Sequence, residues 1–185
     1  GGGIYNESAS PTITNCIVWG NSSGIEGSGT PTVTYSIVQG GNVGIGNLDA
    51  DPRFVDSLDL RPLPCSPAID NGDNLSNILP FDIQGNPRIF NATGAIADTI
   101  DIGAYEMPTD NSLPTMWTGL GDGVLWSDAS NWSDSFIPQH CRDIIIPSGT
   151  VTVPAGYMAE GSTLEVMTGA ILETDSTAVM DIKNN

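Results

Sequence analysis

The sequence predicts an all-β protein in which a parallel β-helix, a form of β-solenoid, is followed by a second β-rich module. Three observations favour this class. Two stretches of the chain repeat at an offset of 20 residues. The chain contains 22 glycines and 13 prolines but only 15% charged residues, and its apolar positions lack the spacing of about 3.6 residues that is typical of helices. Short strands separated by tight turns account for this composition, and helix is expected to be minor.

The repeat aligns residues 11–20, PTITNCIVWG, with residues 31–40, PTVTYSIVQG. The proline, both threonines, the Ile-Val pair and the final glycine recur in register. A unit of about 20 residues is too short for a propeller blade and suits one coil of a solenoid. Coils that stack about 4.8 Å apart bury their apolar side chains in a continuous core. The side chains expected in that core are Ile13, Ile17, Val33 and Ile37.

Asn15 lies between the two expected strands of the first repeat, where the chain must turn a corner. Asparagine tolerates the left-handed αL conformation better than most residues, so we expect Asn15 to adopt it. Tyr35 occupies the equivalent position of the second repeat, and its bulky side chain suits that conformation less well.

Four further segments follow in a recognisable order. They read DPRFV at residues 51–55, SPAIDNGD at 66–73, DIQGNPR at 82–88 and DIGAYE at 101–106. Together with the repeat, they make residues 1–106 similar to the right-handed parallel β-helix regions of large exported bacterial surface proteins, whose last coils carry such segments. The resemblance implies a right-handed helix, with its C-terminal coils and cap in residues 1–106. It also implies a protein that is secreted or lies on the bacterial cell surface.

Residues 107–115 are predicted to be a linker, because prolines and polar residues dominate them. A second β-rich module is expected over residues 116–185, incomplete at its C-terminus, and a further solenoid is one form open to it. Its opening resembles modules common in the same exported proteins. Its expected short strands are residues 151–153, 163–166, 170–173 and 178–182. Because the first coil also begins inside a repeat, we expect the chain to be part of something larger.

Three tryptophans, Trp117, Trp126 and Trp132, open the second module. Exposed aromatic rings can form a platform for sugars, whereas buried rings can cover the strand edges at the end of a solenoid. Their position at the start of a module favours the cap over the sugar platform.

The chain is strongly acidic, with 22 Asp and Glu against five Lys and Arg and a formal net charge of −17. Such a charge repels phosphate backbones and anionic lipid surfaces. The sequence also has no apolar run of about 18 residues, the length needed to span a bilayer. We therefore expect no nucleic acid partner and no membrane insertion. The expected partners are other subunits or domains of the same surface assembly, with glycans as a further candidate.

Cys16, Cys65 and Cys141 form an odd, widely spaced set without a C-x-x-C pair, which argues against a zinc cage. Buried thiols, or one disulfide with one free thiol, are both compatible with this spacing.

Catalysis is not expected, although many β-helix proteins are polysaccharide lyases or hydrolases that use paired carboxylates. Only two complete coils are evident, and the aspartates concentrate at turns such as residues 70–73, where turn chemistry accounts for them. No Ser or Asp arrangement around His140 suggests a nucleophile, so a loop or packing role is expected for it. We predict that the chain is not an enzyme and has no catalytic residues.

Asp70, Asp73 and Asp82 are the candidate metal ligands, because carboxylates in a tight turn suit Ca²⁺. The alternative is that each aspartate caps the backbone of its own turn. Arg88 is expected to pair with Asp82 or Asp101 and so to fasten the terminal coil.

The function expected from these features is that of a non-catalytic structural or adhesive module of a secreted or cell-surface bacterial protein, within a larger extracellular assembly. The alternative is the non-catalytic end of a carbohydrate-active β-helix enzyme, a polysaccharide lyase or glycoside hydrolase, whose active coils lie upstream.

Overall fold

The computed structural model describes residues 2–89, 99–107 and 113–183. The chain divides into two compact units, residues 1–108 and residues 109–185. Within the described ranges there is no α-helix, and the only helical turns are the 3₁₀ turns Asn74–Ser76 and Ala129–Asn131. The named strands all pair in parallel. The predicted all-β, parallel solenoid class is therefore confirmed.

The first unit, called unit 1 below, stacks one coil of three strands on another. Its strands are β1 (Ile4–Tyr5), β2 (Thr12–Thr14), β3 (Ile17–Val18), β4 (Ile25–Glu26), β5 (Thr32–Thr34) and β6 (Ile37–Val38). β1 pairs with β4, β2 with β5 and β3 with β6. Ile13 is the register partner of Val33, which is the stacking that the repeat predicts. A parallel bridge from Ile37 to Leu48 begins a third coil.

The corner between the second and third strands of each coil is left-handed at both predicted positions. Asn15 has φ 55° and Tyr35 has φ 47°, so the αL expectation is confirmed for Asn15 and extends to the bulkier tyrosine. Side chains join the corners of successive coils. The Cys16 N–H donates to Ser36 Oγ at 3.1 Å, and the Ser36 N–H donates to Asn47 Oδ1 at 3.1 Å. These bonds satisfy backbone donors that the corner removes from the strand ladder.

The apolar residues of unit 1 form two cores rather than the single one expected. The first core lies inside the coils and contains Ile13, Val18, Val33 and Val38. The expectation that Ile17 and Ile37 share it is wrong, because they pack in a second core with Ala68 and Ile102. Successive side chains of a strand point to opposite faces of the sheet. Val18 and Val38 therefore face inward, and the isoleucines that precede them face outward.

Residues 66–73 and 100–107, called the closing segments below, cover that outward face. The Ile102 N–H donates to Ala68 O at 2.8 Å, and the Gly103 N–H donates to Asn15 O at 3.0 Å. The Asn15 amide also donates to Asp73 O at 3.1 Å and accepts from the Asp73 N–H at 2.7 Å. The segments that were predicted to form the last coils and cap thus pack along the side of the sheet made by β3 and β6.

The second unit, called unit 2 below, is also a parallel solenoid. Its strands are β7 (Thr115–Met116), β8 (Asp143–Ile146), β9 (Thr150–Val153), β10 (Met158–Gly161), β11 (Thr163–Val166), β12 (Ile171–Thr174) and β13 (Val179–Ile182). β11, β12 and β13 pair with β8, β9 and β10, respectively, while β7 pairs with the other edge of β8. The four predicted strands are found within a residue or two, as β9, β11, β12 and β13, whereas β7, β8 and β10 were not among the predicted strands.

The core of unit 2 contains inward residues from β8, β9 and β10, packed against the three tryptophans of the opening segment. Residues 108–112 of the predicted linker lie outside the described residues, and Thr115, its last residue, belongs to β7. No helix in the described part of the chain has the length and apolarity needed to cross a bilayer.

Candidate functional site

The most highly organised polar site of unit 1 is a cluster of four ionisable residues, three of them buried, called the Arg88 cluster below. It consists of Asp82, Arg88, Asp101 and Glu106. Asp82 and Arg88 come from a short hairpin that is closed by an antiparallel bridge between Phe81 and Pro87. Asp101 and Glu106 come from the second closing segment. Asp101 is 1% exposed, Glu106 5% and Arg88 7%, so these charges must be compensated inside the protein.

The Arg88 guanidinium connects its hairpin to the second closing segment. Its Nη1 lies 3.3 Å from Glu106 Oε2 and donates to Gly103 O at 3.1 Å. Its Nη2 donates to the Asp101 carbonyl oxygen at 3.0 Å. Arg88 does form a buried ion pair, as expected, but the expectation that Asp82 or Asp101 supplies the carboxylate is wrong. Glu106 supplies the carboxylate, and Asp101 takes part through its carbonyl, because the backbone turns its oxygen toward the guanidinium.

The two buried carboxyl groups hold the ends of the closing segments. Asp101 Oδ1 accepts the Asp70 N–H at 2.9 Å, and Oδ2 accepts the Met107 N–H at 2.7 Å. The Glu106 carboxyl group accepts the Asp101 N–H at 3.2 Å. The Glu106 N–H donates in turn to Asp82 Oδ2 at 2.9 Å. The cluster therefore ties both closing segments to the hairpin.

Burial changes the titration of this cluster. Burial raises the pKa of Asp101 to about 6. Burial, followed by the nearby Asp101 carboxylate, raises the pKa of Glu106 to about 8 and outweighs the attraction of Arg88. Asp101 and Glu106 therefore titrate as a coupled pair, and near neutral pH the two carboxyl groups still hold about one proton between them. Burial alone would raise the pKa of Asp82, but hydrogen bonds from Glu106, Asn86 and Gln84 together hold it below its ordinary value.

We expect the stability of the chain to fall as pH rises through the range in which these two groups ionise. The folded state keeps protons on Asp101 and Glu106 at pH values where the unfolded chain has lost them, so unfolding releases protons in this range and stability decreases with pH. This contribution is complete below about pH 4 and is lost through about pH 6 and then about pH 8. Denaturant unfolding at about pH 5 and about pH 9 should differ by at least about 2 kcal/mol.

The Glu106→Gln variant tests the assignment, because glutamine cannot ionise and should remove the upper part of the pH dependence. Glu173→Gln on the exposed face of β12 is the control and should leave the profile unchanged. A wild-type stability that rises between about pH 5 and about pH 9 would contradict the assignment.

The predicted metal ligands have other roles in the structure. Asp73 caps the 3₁₀ turn at Asn74–Ser76, accepting the Leu75 N–H at 3.0 Å. Asp82 Oδ1 accepts two N–H groups of its own hairpin. Asp70 adopts a left-handed φ of 55°, and its N–H is bound by Asp101. Over the described residues, no group of three or more His, Cys, Asp or Glu side chains could hold a metal ion. Calcium binding by Asp70, Asp73 and Asp82 stays a prediction, to be tested by melting curves with calcium and with a chelator.

The tryptophans of unit 2 do not form a sugar platform, because Trp117, Trp126 and Trp132 are 5%, 0% and 2% exposed. They stack edge to face, with centroid distances of 5.2 Å and 4.9 Å. The backbone N–H of Trp117 donates to Ile145 O, and the backbone N–H of Trp126 donates to Thr152 O. The tryptophan segment therefore covers the edges of β8 and β9, as the cap interpretation expects.

Asn131 is a buried organising residue that sequence reasoning missed. Its side chain is fully buried, and its Oδ1 accepts the N–H groups of Gly121 and Gly123 at 2.9 Å and 3.0 Å. Its Nδ2 donates to Asp122 Oδ1 at 2.8 Å. One amide thus shapes the loop before the last tryptophan. The glycines on either side of Asp122 were the available signal.

Cys16 and His140 are two further reactive side chains within the described residues. Cys16 is a free thiol whose Sγ donates to Thr14 O, and burial raises its pKa, which disfavours the thiolate. His140 is half-buried in a turn of unit 2. Near it in sequence, Arg142 forms a largely buried ion pair with Asp134 at 3.0 Å.

Comparison with known proteins adds no assignment. No protein-family model matches the chain, and no curated protein or solved structure matches it either. Its function must therefore be argued from its residues and their geometry.

Proposed function

We propose that this chain is a non-catalytic structural or adhesive module of a secreted or cell-surface bacterial protein, working within a larger extracellular assembly. The observation that carries the proposal is the Arg88 cluster. Strongly shifted pKa values often mark catalytic acids and bases, but structural networks produce them too. A catalytic acid must reach its substrate, whereas Asp101 and Glu106 are buried and bonded to the backbone that they fasten. Asp101 and Glu106 therefore have a structural role, which is to hold the closing segments in place.

The architecture of both units supports the same function. Stacked parallel coils give a rigid body whose contacts are mainly between neighbouring coils, and such solenoids commonly present extended binding surfaces. The secreted or surface location rests on the similarity of the ordered segments in residues 51–106 to those of exported bacterial surface proteins. The net charge of −17 also favours a dispersed protein that does not bind nucleic acid nonspecifically.

Two assays test this function. Antibodies against the chain should label intact cells that express its full-length gene product, and protease added outside those cells should remove the label. Incubation with neutral and acidic polysaccharides should release no new reducing ends and no unsaturated products. Intracellular retention would contradict the proposed location. Polysaccharide cleavage that a single Asp→Asn change abolishes would instead establish a carbohydrate-active enzyme.

A further inference from the structure

One stretch of unit 1 exposes an unusual amount of apolar surface. Between residues 75 and 89, six large apolar side chains are more than half exposed: Leu75, Ile78, Leu79, Phe81, Ile83 and Ile89. Ile78 is 90% exposed and Ile83 is 70% exposed. Single exposed apolar residues are ordinary, but a contiguous group of them on a soluble protein marks an interaction site.

Four of these side chains line a groove of about 400 Å³, called the Phe81 groove below. Ile78, Leu79, Phe81 and Ile83 form its apolar wall, and Asn15, Ala104, Asp82 and Arg88 also line it. The wall is joined to the closing segment by the backbone, since the Ile83 N–H donates to Ala104 O at 3.1 Å. The groove is therefore built on the segments that the Arg88 cluster fastens.

The polar side chains of the Phe81 groove are engaged within unit 1. The Asn15 amide bonds to the Asp73 backbone on both its oxygen and its nitrogen. Asn77 Oδ1 accepts the Leu79 N–H at 3.2 Å. The Asp82 carboxylate accepts bonds from its own hairpin and from Glu106. What the groove offers to a partner is chiefly apolar contact.

The charge of the groove and of the chain indicates which kind of apolar partner could bind there. Hydrogen bonds keep the pKa of Asp82 low, so this carboxylate in the groove is negative at neutral pH. The Arg88 cation beside it is compensated by buried carboxyl groups. The whole chain carries a net charge of −17, which repels a second copy and anionic membranes and attracts cationic partners.

We propose that the Phe81 groove docks a segment of a partner protein whose apolar side chains are flanked by lysine or arginine. The apolar side chains fill the groove, and the basic groups are attracted by the Asp82 carboxylate in the groove and by the net negative charge of the chain. This inference rests on the proposed function, since it names the kind of partner that a structural or adhesive module would engage. Apolar anchors in such an interface supply most of the affinity, while charge raises the association rate.

The test is fluorescence anisotropy of the full chain with short labelled peptides. The probe alternates lysine with leucine, and the comparison peptides replace lysine with glutamate or leucine with serine. We expect saturable binding of the lysine–leucine peptide only. Leu79→Ser and Phe81→Ser should each weaken it about tenfold. Leu58→Ser, which changes an exposed leucine on another hairpin, is the matched control and should bind as the wild type does.

Other outcomes would overturn the inference. If the lysine–serine peptide bound as tightly as the lysine–leucine peptide, binding would depend on charge alone. If the glutamate–leucine peptide bound as tightly, the partner would not need basic residues. If Leu79→Ser and Leu58→Ser changed peptide affinity equally, the Phe81 groove would not be the binding site. Self-association in sedimentation that Phe81→Ser abolishes would assign the groove to a second copy. None of these results bears on surface labelling or polysaccharide turnover, which test the proposed function separately.

Discussion

Replacement of Arg88 by alanine is expected to reduce the free energy of unfolding by about 3–5 kcal/mol, the usual cost of removing one partner from a buried ion pair. The variant loses the only cation of the cluster and its hydrogen bonds to the carbonyls of Gly103 and Asp101. The two buried carboxyl groups, Asp101 and Glu106, are then left without a compensating cation. Chemical denaturation followed by circular dichroism measures the loss.

The pH dependence of the Arg88→Ala loss separates charge from packing. Protonated carboxyl groups need no cation, so the loss should be smaller at about pH 4 than at about pH 8. Arg61→Ala is the control, because Arg61 pairs with Asp59 on the exposed surface, where ion pairs contribute little. A loss for Arg88→Ala as small as that for Arg61→Ala would show that the cluster does not fasten unit 1.

Replacement of Trp132 by alanine is expected to cost about 3–5 kcal/mol, as for other buried aromatic residues. Trp132 is 2% exposed, stacks edge to face on both other tryptophans, and donates from Nε1 to Trp126 O at 2.9 Å. Its removal leaves a cavity beneath the segment that covers β8 and β9. Denaturant unfolding followed by near-ultraviolet circular dichroism reports the loss of this packing.

Two further variants separate the contributions of Trp132. Trp132→Phe keeps an aromatic ring but loses the hydrogen bond to Trp126, so its loss should be smaller than that of the alanine variant. Leu120→Ala changes an exposed leucine of the same segment and should have almost no effect. Similar stabilities of Trp132→Ala and the wild type would mean that the tryptophan cap does not stabilise unit 2.

The repeat was sufficient to predict the coils of unit 1, because a period of about 20 residues fixes which strands stack. It could not predict the second core. The adjacent apolar residues Ile17 and Val18 indicate a strand buried on both faces. The element that covers the outer face comes from residues 66–73 and 100–107, however, and no local pattern reports so distant a contact. The predicted strand register is therefore confirmed, whereas the prediction of a single continuous core is wrong.

The residues of the Arg88 cluster could also be singled out from sequence, but not their pairing. Asp82, Arg88, Asp101 and Glu106 all belong to the ordered segments that carry the resemblance. Sequence spacing gives no distances between separate segments, so it indicates Asp82 or Asp101 as the partner of Arg88 and does not identify Glu106. Burial, which determines the pKa values, depends on the same distant packing.

The closing segments also bear on the order in which unit 1 folds. The contacts between coils join residues about 20 positions apart, whereas Asn15 and Asp73 are separated by 58 positions. Closing a longer loop costs more chain entropy, and distant contacts slow folding. The coils can therefore assemble first and present β3 and β6 as a template with an uncovered apolar face. We expect the closing segments to add last, because their contacts with the coils span the longer loop.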